Sequence, residues 1–299
     1  MPILRKTDLA MEAHELARGT RAGSLPGVRA SEETLCGLPL TRVEVLDGEG
    51  AALVGKPAGT YLTLSLPGPL RDRDDILAAA RAVAAALRSL SALPSGGTAL
   101  VAGLGNRAVT PDAIGPGTVD SLLVTRHLAE NLPETFPGLR PVSAVAPGVS
   151  GSTGMESGEL LSALVEKVRP ACLIAVDALA ARRQERVCRT IQLSDTGLVP
   201  GSGVGNARMA LDRETLGVPV LAVGVPTVVD AATLCLDLAE EAGGTAPDLS
   251  RLRREGAEWF VTPRNVDSEV RALSKALGLG ISSALLVDFS VEKVEKWTG

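Results

Sequence analysis

The chain has 299 residues, 45% of them hydrophobic, and a formal net charge of −5, enough to bury the core of one large domain or of one domain with an attached lobe. No run of about 18 apolar residues is present to span a bilayer, and the mild acidity argues against wholesale nucleic-acid binding. Two histidines and 2% aromatic residues leave little material for a His-rich zinc-hydrolase site or for base-stacking platforms.

The N-terminal stretch "MPILRKTDLAMEAHELARG" lacks the apolar block and small-residue cleavage site of a secretory signal, so a soluble intracellular protein is expected. "RVEVLDGEGAALVGKPAGTYLTLSL" alternates and carries turn signals, which predicts a β-rich lobe or edge hairpin. From residue 73 the pattern changes: Ile76, Leu77, Ala80, Val83, Leu87 and Leu90 mark one face of a helix, and "PSGG" stops it. A buried strand comes next over Thr98–Leu104, then helices over Thr118–Asn131 and Ser157–Val168, the second closed by Pro170. Apolar runs at Ala171–Val176 and Val218–Val225 predict further strands, and helices are expected near Asp230–Ala242 and Asp267–Leu277. Short apolar strands alternating with amphipathic helices predict an α/β fold with a mostly parallel sheet flanked by helices.

Three loops are expected directly after the predicted strands: "GLGNRAVTPDAIGPG", "DALAAR" and "VPTVVDA". Ligands in open α/β sheets bind outside the carboxyl ends of the strands, which places Asp112, Asp177 and Asp230 as candidates on one rim. Each has a plainer reading. Asp112 fits an N-cap or Asx-turn as readily as a site, Asp177 fits a cap on whatever follows "DALAAR", and Asp230 fits an ordinary helix start better than a site. Two carboxylates held close cannot both ionise freely. Such a pair can activate water with the ionised member and protonate a leaving amine with the other. Competing motifs are weaker. "PGSGVGN" has Asn206 where GxGxxG needs its third glycine. "GVSGSTG" lacks Gly-x-Ser-x-Gly, and neither histidine has an obvious route to it. His127 shares a predicted helical face with Val119 and Leu123, as a core-edge histidine or as support behind the site. Cys172 and Cys235 lie in apolar runs and read as small hydrophobes.

"KTDLAMEA", "GTYLTLSL", "GLGNRAVTPDAIGP", "VTRHL", "PGVSGSTGMESGE", "VDALAAR", "TIQLSDTGLVPGSGVGN" and "LGVPVLAVGVPTVVDA" occur in this order. Together they resemble the germination protease family of spore-forming bacteria, from about Lys6 through "VTPRNVDSEVRALSKALGLGI". The resemblance implies an atypical aspartic-type endopeptidase with a fold similar to hydrogenase-maturation peptidases. Such an enzyme starts the degradation of small acid-soluble spore proteins in the cytoplasm of the spore core. The family aspartates fall on Asp112 ("VTPDA") and Asp177 ("VDALAAR"). The family is made as a zymogen that cuts itself at an acidic residue followed by an apolar one, then Ala-x-Glu. "KTDLAMEA" fits, with the cut between Asp8 and Leu9; the plainer reading of Thr7–Asp8 is a helix N-cap for "LAMEAHELA". The implied division is a propeptide over 1–8, a β-rich N-terminal lobe over 9–70 packed on the main domain, and an α/β catalytic domain over 71–299. Arg5 and Lys6 are expected to help hold the propeptide over the acidic rim. Gly105 and Asn106 in "GLGN", with Gly203 and Gly205 in "PGSGVGN", are candidate site-shaping residues and oxyanion donors. Ser65 stands where the family pattern has glutamate. The maturation relatives grip nickel with carboxylates and a histidine. This sequence has no histidine in the equivalent loop, so no metal or cofactor is expected. A homotetramer is implied, with spore proteins as substrate and no direct nucleic-acid or membrane contact. The alternatives are a metal-dependent maturation-type peptidase and a non-catalytic protein-binding scaffold.

Overall fold

The computed structural model describes residues 7–19, 24–201, 208–243 and 259–298. Among these, the alternating and apolar segments pair into one nine-stranded sheet of order β1-β2-β3-β7-β8-β6-β4-β5, with β9 on the far end of β8. The strands are β1 (Val28–Leu35), β2 (Leu38–Val45), β3 (Gly59–Ser65), β4 (Ala99–Gly103), β5 (Val142–Val145), β6 (Cys172–Ala181), β7 (Thr190–Ser194), β8 (Val220–Asp230) and β9 (Phe260–Val261). The block β5-β4-β6-β8 is parallel. The β-rich N-terminal segment adds antiparallel strands to the same sheet through β3 and β7.

Both faces of the parallel block are covered, which is why its strands read as unbroken apolar runs. In β6, Ile174 and Val176 face one core with Val83, Leu277 and Ile281, while Leu173 and Ala175 face another with Leu161 and Leu211. The first core is roofed by α3 (Arg73–Ser89) and the long helix Val266–Leu285. Asp72 starts α3 by accepting the Asp75 N–H at 3.0 Å. The long helix passes so close that a Cβ on Gly280 would sit 2.8 Å from the Ala80 carbonyl oxygen. That close approach carries the helix past Leu277, where the sequence pattern placed its end. No described helix is long and apolar enough to cross a membrane.

Other expectations are corrected. The helix predicted over Thr118–Asn131 is two short helices, α4 (Ile114–Asp120) and α5 (Arg126–Asn131). Tertiary bonds take over the backbone between them: the Leu123 N–H donates to Ser282 Oγ at 2.9 Å and the Thr125 N–H to the Val142 carbonyl at 3.0 Å. "DALAAR" and most of "VPTVVDA" are strand rather than loop, because β6 and β8 keep pairing to Ala181 and Val229 through a bulge at Leu179/Ala180. Cys172 is buried as expected, whereas Cys235 is exposed.

Candidate active site

β4 makes its last pair with β6 at Gly103↔Val176, while β6 runs on beside β8. Asp177 is therefore the first β6 residue past the carboxyl end of β4. It lies within a strand rather than at a strand end, and the crevice belongs to the neighbour that stops. Opposite Asp177 stands Gly224, where a Cβ would lie 2.5 Å from Leu179 Cδ1.

Asp112 arrives from the chain leaving β4. That chain turns at Gly105, whose φ of +106° suits glycine, and a Cβ there would lie 2.1 Å from the Asp112 carbonyl oxygen and 2.8 Å from its Oδ1. A 3-10 turn over Thr110–Asp112 then presents the carboxylate, with Pro111 pre-setting φ. The Asn106 N–H donates to Asp112 Oδ2 at 2.7 Å, and Thr227 Oγ1 of β8 donates to the Pro111 carbonyl at 2.6 Å. Gly105 and Asn106 thus shape the loop by holding Asp112; the Asn106 amide is already bonded there, which removes it as an oxyanion donor. Gly203 and Gly205 lie outside the described residues, as do Arg5 and Lys6.

Asp112 and Asp177 line one cavity of about 550 Å³, together with Asp8, Lys56, Gln192 and Arg208. Burial pushes the Asp177 carboxyl up to about 8; the charges of Asp112 and Asp8 add to this, while the Ala178 N–H and Arg208 oppose it. Burial also raises Asp112, against the Asn106 N–H and the Arg208 guanidinium. The pair is thus unequal, with Asp177 holding its proton at neutral pH.

The segment around Asp8 lies across the same cavity. The Asp8 N–H donates to the Ala180 carbonyl at 2.9 Å, and the Ala180 N–H donates to Asp8 Oδ2 at 2.8 Å. Gln192 Nε2 donates to the Asp8 carbonyl at 3.1 Å, and its Oε1 accepts the Ala10 N–H at 2.6 Å. One side chain therefore brackets the Asp8–Leu9 peptide bond. Leu9 is fully buried and its carbonyl accepts the Ala13 N–H at 3.0 Å as α1 (Ala10–Gly19) begins. Thr7 Oγ1 accepts the Leu9 N–H at 3.0 Å.

Other candidates fall away from the cavity. Asp230 starts α9 (Ala231–Glu241), accepting from the Thr233 N–H and hydroxyl, each at 2.8 Å. His127 is exposed on α5 and does not line the cavity; the split of the predicted helix removes the face it was to share with Val119 and Leu123. In "GVSGSTG", Ser152 Oγ donates to the Val149 carbonyl at 2.9 Å and does not line the cavity. Ser65 ends β3 opposite Thr190. Among the described residues, no three His, Cys, Asp or Glu side chains are grouped to hold a metal ion. Lys56, Gln192 and Arg208 were missed from sequence. Gln192, a long polar side chain inside the short strand "TIQLS", was the one local signal available.

The family model described as germination protease matches residues 5–240. The germination protease of Clostridium perfringens (strain ATCC 13124) is 41% identical over 319 aligned positions covering 98% of each chain. That of Caldanaerobacter subterraneus subsp. tengcongensis is 48% identical over 237 positions, 79% of this chain and 72% of the relative. A solved [NiFe] hydrogenase maturation protease from Thermococcus kodakarensis is 16% identical, with a TM-score of 0.36 over 64% of this chain and 94% of that one.

Proposed function

The chain belongs to the germination protease family, and we propose that it is a self-activating endopeptidase in which Asp112 and Asp177 form an aspartic-type dyad. The observation that carries this reading is one cavity holding both carboxyl groups, unequal in proton affinity, beside the Asp8–Leu9 bond.

Asp112, supported by a backbone N–H, is the ionised member and takes a proton from the attacking water. Asp177, kept protonated by burial and by its acidic neighbours, supplies the proton the leaving amine needs. The water oxygen joins the carbonyl carbon and the C–N bond breaks, leaving a carboxylic acid and an amine that exchange one proton to become carboxylate and ammonium. Return of the proton from Asp112 to Asp177 resets the pair, which titrates as a unit. In the first turnover the bond cut is Asp8–Leu9; afterwards the substrates are small acid-soluble spore proteins in the spore core, met by a homotetramer.

The test is incubation of purified wild type, Asp112→Asn and Asp177→Asn with such a spore protein, with products read by mass spectrometry. Wild type is expected to cut after an acidic residue and to lose residues 1–8. Each variant should be slower by about 10²–10⁴-fold with its fold retained. Near-normal turnover in either variant removes that residue from the mechanism.

A further inference from the structure

Glu12 is a fully buried carboxylate held by groups about 170 residues away. Its Oε2 accepts the Arg182 N–H at 2.7 Å and its Oε1 accepts the Arg183 N–H at 3.0 Å. Arg186 Nη1 lies 3.1 Å from Oε1, and the Thr7 hydroxyl donates to Oε2. Lys56 is near enough to feel the charges of both Asp8 and Glu12, which partly offset the lowering of its ammonium by burial. The four residues before Glu12 are seated just as specifically. Asp8 pairs with Ala180, Leu9 enters the main core, Ala10 has no exposed surface for a larger side chain, and only Met11 faces partly outward. A segment whose main chain and acidic side chains are gripped from remote parts of the chain, across the dyad cavity, is docked like a bound peptide.

We infer that the Arg182 and Arg183 amides, Arg186 and Lys56 form a carboxylate-reading subsite, which takes the glutamate four residues after the cleaved acidic residue in an acidic peptide substrate and is self-occupied by Glu12 before processing. This rests on the peptidase reading above. Hydrolysis itself loosens the occupant. Cutting Asp8–Leu9 leaves an α-ammonium on a fully buried Leu9 and an α-carboxylate on Asp8, whose side chain already raises Asp177. Both new charges are costly to bury, so the segment leaves and the subsite opens to a substrate in trans.

The test measures binding in the Asp177→Asn chain, so that no peptide is consumed and the outcome does not depend on the dyad. The probes are a fluorescein-labelled peptide of residues 5–14 and the same peptide carrying Glu12→Gln, read by anisotropy. Adding Glu12→Gln to the chain is expected to tighten binding of the Glu peptide by about tenfold, the scale of a charge-assisted hydrogen bond. The Gln peptide should gain nothing, and a further Arg186→Gln should erase the preference. Equal affinity for the two peptides, or no gain in the freed chain, overturns the subsite. If the Glu12→Gln chain does not fold, self-processed wild type gives the same comparison by hydrolysis: KM about tenfold lower for the Glu peptide at similar kcat supports the subsite, and equal KM values overturn it. A binding preference without hydrolysis by wild type would spare the subsite and sink the dyad.

Discussion

Asp177 sits where its negative charge meets burial first, then the carboxylates of Asp112 and Asp8. Its carboxyl is raised from 3.8 to about 8, and that direction sets the sign of the stability effect. A group with a higher folded-state value stabilises fully below the unfolded value, near pH 4, and that contribution is lost as pH rises through about 8. Asp177→Asn, which keeps the shape without the titration, should therefore melt close to wild type at pH 4 and progressively above it toward pH 8. A melting difference independent of pH would refute the assignment. Activity should fall on the same limb, since above about 8 the acid has lost its proton; a pH–rate profile with no decline there would exclude Asp177 as the acid. Asp112 and Asp177 were legible in "VTPDA" and "VDALAAR" because their flanking blocks are distinctive. Their unequal electrostatic surroundings were not, since these depend on Arg208, Asn106 and Asp8 placed around them.

Among the elements, the turn at Gly105 and the unequal lengths of β4 and β6 make the crevice. Gly105→Ala would set a Cβ 2.1 Å from the Asp112 carbonyl oxygen at a φ of +106°. It should cost about 1–3 kcal/mol of stability and lower kcat more than KM, as checked by denaturant unfolding and steady-state kinetics. The start of β7 is tied to the long helix by Arg189 Nη2, 2.9 Å from Glu269 Oε1, with the Glu269 side chain 3% exposed. Arg189→Met strands a buried carboxylate and should destabilise by about 3–5 kcal/mol in the same unfolding assay; a change under about 1 kcal/mol, the scale of an exposed pair, would show that solvent and Asn265, whose Nδ2 donates to Glu269 Oε1 at 2.9 Å, suffice. Apolar periodicity found β4, α3 and α7 (Ser157–Val168), since these elements are decided by their own faces. It stopped β6 and β8 too early because their last residues mix polar with apolar types. Pairing with each other, a relation between distant segments, is what keeps them extended.

For the molecule as a whole, the N-terminal segment is the part that turns a family fold into a regulated one under the proposed reading. Deleting residues 1–8 should give an enzyme active from the outset, with no lag in cleavage of an added peptide; an unchanged lag would remove the inhibitory role. The sequence by itself determined the α/β class and the "VTPDA", "VDALAAR" and "KTDLAMEA" matches, because each is written in local periodicity or in contiguous blocks. The tertiary structure alone decided that His127 stands outside the cavity, that Gln192 brackets the Asp8–Leu9 bond, that Glu12 is buried against Arg182, Arg183 and Arg186, and that burial beside Asp112 and Asp8 pushes Asp177 up to about 8. Burial and electrostatic potential at a point are sums over every group nearby, and here those groups come from segments separated by most of the chain.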